Sequence, residues 1–216
     1  MTEQTGAREL FQAAYEHRYT WDENFPGYSA DVEIKQGDEV YSGSVRINSD
    51  LTVEVTGFSD EKVQESVYNQ MRDIVTHRKR SSFAQAHGKN EFSLGETDST
   101  GAVEISVKGD AMGSNYKVRG KEISQVSRVM GPMAFTINTN SSLDTGEGYL
   151  SSGYNAIFRN AKTGELKGKR EFEDTFEKFG DYYVMTHQVV EAIEGDSRIT
   201  TEFTFSNIRL LAMAVV

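Results

Sequence analysis

The sequence predicts an α+β fold that is mainly antiparallel sheet. It reads as a strongly curled, unclosed half-barrel of about ten strands wrapping two amphipathic helices. Three observations carry this. Apolar residues recur at helical spacing in two segments and at every second position almost everywhere else. Short turns bearing Gly, Asp or Asn separate the alternating segments. A sheet of about ten antiparallel strands curls rather than staying flat, and its concave side is the place for the helices' apolar stripes.

The elements follow in chain order. Ala7, Leu10, Phe11, Ala14 and Tyr15 form the stripe of a first helix, with Thr5 as its N-cap. An aromatic loop follows and closes on Pro26-Gly27. From Tyr28 the period becomes two. Tyr28, Ala30, Val32 and Ile34 alternate with Ser29, Asp31, Glu33 and Lys35, as in a half-buried strand. Gly37-Asp38 fits a hairpin. Tyr41 to Ile47 and Leu51 to Val55 complete a meander. Ser59 or Asp60 caps the second helix, whose buried face is Val63, Val67, Met71, Ile74 and Val75. Its basic end, His77 to Arg80, complements the helix dipole, with an anion-binding patch as the alternative. His87 falls in a polar loop. Beyond Gly88, strands and turns continue to the end. The polar stretch Asn138 to Gly148 is expected to be a flexible loop or lid. No repeat, low-complexity tract or linker interrupts the pattern, so residues 1–216 are expected to form a single domain.

Composition narrows the function. The 216 residues hold 33 acidic and 23 basic side chains, a formal charge of −10. That balance argues against nucleic acid, which is bound by clustered Lys and Arg. Cysteine is absent, which removes disulfides, thiolate metal sites and cysteine nucleophiles together. The first residues are polar and no apolar run is long enough to span a bilayer, so the expected location is cytoplasmic and any membrane contact at most peripheral. The apolar end, Leu210 to Val216, reads as a last strand running into a tail.

No chemical motif stands out. The four histidines show no zinc-ligand spacing, and no nucleophile elbow, P-loop or dinucleotide fingerprint occurs. No metal, cofactor or catalytic residue is therefore expected. Asp174 lies between Phe172 and Phe176 on one face of a strand, either pairing an arginine or lining a ligand site. His187 alternates with Met185 and Val189, as a core or groove histidine. Tyr19, Trp21, Phe25 and Tyr28 cluster in one loop, either as the rim of an apolar pocket or as a plug. Met130 and Met133 flank a rigid Gly-Pro turn, where their thioethers either adapt to varied apolar partners or simply fill the core. These eight residues are the expected ligand-binding set.

The stretch Phe11 to Trp21, followed by Asn24-Phe25-Pro26-Gly27-Tyr28-Ser29-Ala30, resembles a family of cyanobacterial and plastid proteins without an assigned activity. The order of elements, ending in Thr201-Glu202-Phe203-Thr204-Phe205-Ser206-Asn207-Ile208-Arg209-Leu210, is similar to the lipoprotein-carrier superfamily. That resemblance implies an unclosed barrel with helices lidding an apolar cavity for acyl chains. The function expected is non-enzymatic binding or carriage of a hydrophobic small molecule, lipid or pigment-like. The alternatives are a protein–protein assembly factor, or an enzyme using His187 and Asp174.

Overall fold

A computed structural model describes residues 3–109 and 114–212, with side chains from Gly6 onward. Its elements run α1 (Glu3–Glu16), β1 (Gly27–Gln36), β2 (Glu39–Asn48), β3 (Val53–Thr56), α2 (Glu61–Arg78) and α3 (Phe83–His87). The strands that come next are β4 (Glu91–Thr97), β5 (Val103–Lys108), β6 (Ser114–Arg119), β7 (Glu122–Met130) and β8 (Met133–Asp144). The last four are β9 (Tyr149–Asn160), β10 (Leu166–Phe179), β11 (Tyr182–Glu194) and β12 (Ser197–Leu210).

The hydrogen-bonded order is β3-β2-β1-β12-β11-β10-β9-β8-β7-β6-β5-β4. The sheet is unclosed, because β3 and β4 each have one neighbour. Among the described residues the sheet has 12 strands rather than about ten, and there are three helices rather than two. The stretch expected to be a loop or lid is instead largely strand. Asn138 to Asp144 continue β8, and only Thr145 to Gly148 turn the chain. Thr5 lies inside α1 rather than capping it, since the helix already includes Glu3. His87 is the last residue of α3, not a loop residue. Of the terminal tail, Met213 to Val216 lie outside the described residues.

The chain forms two compact units. The first comprises Met1–Tyr19, Ser81–Phe172 and Ala192–Arg198. Here α1 packs on β4, β6 and β7, and its stripe enters an aromatic core. Phe11, fully buried, has the rings of Phe83, His87, Phe92 and Tyr116 around it, with centroids 4.6 to 6.2 Å away. Ser82 starts α3 with a capping box, its hydroxyl accepting from the Gln85 N–H while the Gln85 side chain accepts from the Ser82 N–H.

The second unit comprises Thr20–Arg80, Glu173–Glu191 and Ile199–Val216. In β1 the residues Tyr28, Ala30, Val32 and Ile34 are buried, while Asp31, Glu33 and Lys35 are exposed. The alternation of period two therefore sets which face is covered. β1 pairs β2 on one side and β12 on the other, with Tyr28 opposite both Ile47 and Leu210. Asp60 caps α2, its carboxylate accepting from the N–H groups of Lys62 and Val63, and Val67, Met71 and Ile74 are its buried residues.

Candidate functional site

Strands β7, β8 and β9 have two unlike faces. In register across them stand Val126, Ile137 and Ala156, and one step along stand Arg128, Phe135 and Phe158. Met130 and Met133 face each other at the hairpin end, beside Asn160. The alternate residues form a polar ladder on the opposite face. Gln125 donates to Asn138 at 2.7 Å, Asn138 donates to Asn155 at 3.0 Å, and the Ser127 and Thr136 hydroxyls are 3.0 Å apart. One face thus carries the polar ladder, and the other carries most of the large apolar side chains.

That apolar face is only partly covered. Ala156 is buried, whereas Val126, Met133, Phe135, Ile137 and Phe158 remain half-buried. Strand β10 extends it: the Arg170 guanidinium lies 5.6 Å from the centre of the Phe158 ring. The Phe172 ring stacks on Tyr154 with centroids 4.5 Å apart and planes 10° from parallel. On the β6 side the strip meets the aromatic core, against which Val126 packs. Arg128 marks that border. Its Nη2 donates to the Tyr116 hydroxyl at 2.8 Å, and its Nε is buried without a partner. The strip can accept an extended or flat apolar body, with a cation near either side.

Of the residues expected at a site, Met130 and Met133 belong to this strip, and Met130 is 63% exposed. The aromatic loop is elsewhere and is packed shut. Trp21, Phe25 and Tyr28 lie in the second unit, each 2% exposed or less. Trp21 stacks on Phe25 with centroids 4.1 Å apart, and its indole N–H donates to the Tyr183 carbonyl at 3.0 Å. Burial pushes the Tyr28 phenol well above its ordinary range. Tyr19 lies in the first unit, buried, its N–H bonded to the Tyr149 carbonyl. Asp174 accepts the Gln188 amide at 2.7 Å, and His187 lies 2.7 Å from the Glu202 carboxylate. Since His187 and Gln188 are consecutive in β11, their side chains leave opposite faces of that strand.

The basic end of α2 is partly absorbed by packing. Arg78 lies over the Phe176 ring at 5.5 Å, and its carbonyl accepts the Trp21 N–H at 2.8 Å. Elsewhere in the second unit, Ser29, Asp31, Arg46, Glu54, Asn207 and Arg209 line a shallow polar depression of about 490 Å³. Its floor is shaped by a bulge at Asn207, where φ is 51° and the amide donates to Asp31 at 2.8 Å.

Reasoning from sequence missed Arg128, Phe135, Phe158 and Arg170 as site residues. The signal was present in the alternation, since Val126 and Arg128 share one parity and the polar Gln125 and Ser127 the other.

Comparison with known proteins gives a family and a set of distant structures. A family model described as "Protein of unknown function (DUF3386)" matches residues 2–211. No curated protein matches. Among solved structures, a DUF1329 family protein from Desulfovibrio piger is 11% identical with a TM-score of 0.30, covering 97% of this chain and 94% of its own. An outer membrane lipoprotein-sorting protein domain from Vibrio parahaemolyticus is 10% identical with a TM-score of 0.30, covering 95% and 92%. MucB, in complex with MucA, is 11% identical with a TM-score of 0.23, covering 95% and 99%.

Proposed function

The chain belongs to the DUF3386 family, and for this member we propose non-enzymatic binding or carriage of a hydrophobic small molecule on the apolar face of β7, β8 and β9. The observation that supports it is the pair Phe135 and Phe158, opposed across two strands and left half-buried beside Ile137 and Met133. Apolar area left open to water is costly, at about 25 cal/mol per Å². A ligand laid along the strip recovers that energy. Met133 and Met130 give the hairpin end of the strip adaptable walls. In this reading Tyr19, Trp21, Phe25, Tyr28, Asp174 and His187 serve the fold that presents the strip rather than touching the ligand.

The test is displacement of an apolar fluorescent dye, with native mass spectrometry of the purified protein. Phe135→Ser with Phe158→Ser should weaken dye binding at least tenfold while the far-UV circular dichroism stays unchanged. Equal dye binding by the folded double variant would remove the strip as the site.

A second reading, a protein partner, is favoured by the hairpin ends. Val129, Met130 and Leu166 are 56%, 63% and 54% exposed, and the Ala161 N–H bonds the Pro132 carbonyl to join the two turns. Neither reading includes nucleic acid, a metal or a cofactor. A cytoplasmic location with at most peripheral membrane contact belongs to the same proposal; no helix among the described residues is long and apolar enough to cross a membrane.

A further inference from the structure

We propose that the molecule bound on this face carries a carboxylate head, taken by Arg128, with its apolar tail running past Phe135 and Phe158. The inference rests on the apolar-strip reading above and names the ligand class.

Arg128 is half-buried and in register with the two phenylalanines. Its hydrogen bond goes to a neutral hydroxyl, that of Tyr116, and its Nε is buried with no partner. No carboxylate among the described residues forms an ion pair with it. A chain with 33 acids and 23 bases does not leave a guanidinium unpaired for want of carboxylates. Partial burial of an unpaired charge is costly, and an anion arriving from outside removes that cost.

Nη1 makes no hydrogen bond to the described residues and, unlike Nε, is not sealed from solvent. A guanidinium with Nη1 left open to an incoming oxygen suits a singly charged carboxylate. The Phe135–Phe158 row starts beside it, so head and tail sites are contiguous.

The test compares decanoate with 1-decanol, equal in chain length and differing in head, by competition for the bound dye. The wild-type protein should bind decanoate about tenfold or more tightly than decanol, the worth of a charge-assisted hydrogen bond. Arg128→Gln should abolish that preference, bringing decanoate down to the affinity of decanol. Equal affinity for acid and alcohol in the wild type would overturn the carboxylate inference and leave the strip standing. Binding of neither would overturn both. A measurement without a variant covers the case in which Arg128→Gln fails to fold: ¹³C-carboxyl decanoate titrated in the wild-type complex. Pairing with Arg128 lowers the pH at which the bound carboxyl protonates, whereas apolar burial alone raises it, so an upward shift would also overturn the inference.

Discussion

The indole N–H of Trp21 donates to the carbonyl of Tyr183 at 3.0 Å, tying the loop ahead of β1 to the start of β11. The only tryptophan is thus a hydrogen-bonded core residue, 2% exposed. Trp21→Phe keeps most of the stack on Phe25 but strands the carbonyl, and should cost about 1–2 kcal/mol. Trp21→Ala also leaves a cavity and should cost about 3–5 kcal/mol. Urea denaturation of the three proteins checks the order. A Phe variant as damaging as Ala would show that the hydrogen bond, not the packing, dominates.

His87 makes stability depend on mild acid. Its Nδ1 accepts from the Asn90 amide, and burial, with repulsion from Arg18, Arg128 and Arg8, brings its pKa down to about 4. The unfolded imidazole protonates near 6.5, so between those values the unfolded chain holds the extra proton. The contribution is complete above pH 6.5 and drains as pH falls toward 4, by about 1–3 kcal/mol in all. Melting curves across that window should show the decline, and His87→Gln should flatten it.

Asp98 acts lower on the scale. Lys117, at 2.8 Å, and then the Thr100 hydroxyl hold its carboxyl well below the usual carboxylate range. Its contribution is present above the unfolded value near 3.8 and lost as pH falls further. Asp98→Asn should therefore lower the melting temperature more at pH 6 than at pH 2. Equal effects at both would assign the loss to the turn's hydrogen bonds rather than the charge.

Gly27 and Gly37 differ in what they require. Both have positive φ, 83° and 61°. A Cβ at Gly27 would collide with the Ile47 carbonyl and the Asn48 backbone, whereas at Gly37 nothing lies within 4 Å. Gly37→Ala should cost about 1–2 kcal/mol of left-handed strain. Gly27→Ala should cost more than that, since β2 must also shift. Similar midpoints for the two variants would contradict the close approach.

We propose that residues 1–216 unfold as one domain, because β10 and β11 each supply residues to both compact units. Trp21 fluorescence, reporting the second unit, and far-UV circular dichroism, reporting both, should then give coincident transitions. Separated transitions would divide the chain into two domains.

Much of this fold was legible because period and capping are local. Tyr28 to Ile34 declared their strand, and Asp60 its helix. Helix α3 was legible in principle, since Ser82-Phe83-Ala84-Gln85 spells a capping box, but five residues are too few for an apolar period to show. Asn138, Ser141 and Ser142 looked like a loop because their hydrogen-bonding partners, Asn155, Ser152 and Glu122, lie on other strands. The site was hidden for the same reason. Arg128, Phe135 and Phe158 become one row only when two hairpins adopt a fixed register, and a slip of one residue sends a side chain to the other face. Asp174 with Gln188, and His187 with Glu202, depend on register in the same way.

The pairing of β1 with β12 bears on how the protein is made. Strand β1 lies between β2, its neighbour in sequence, and β12, most of the chain away. On the ribosome β1 and β2 can close their hairpin early, but the other edge of β1 must wait for Phe203, Phe205 and Leu210 to be translated. During that interval an open backbone edge borders the side chains of Tyr28, Val32 and Ile34, a template for pairing with a neighbouring nascent chain. Closing so long a loop also slows folding. Truncations that stop short of β12 should therefore accumulate as chaperone-bound or aggregated chains, even though the residues lost contribute nothing to the strip formed by β7, β8 and β9.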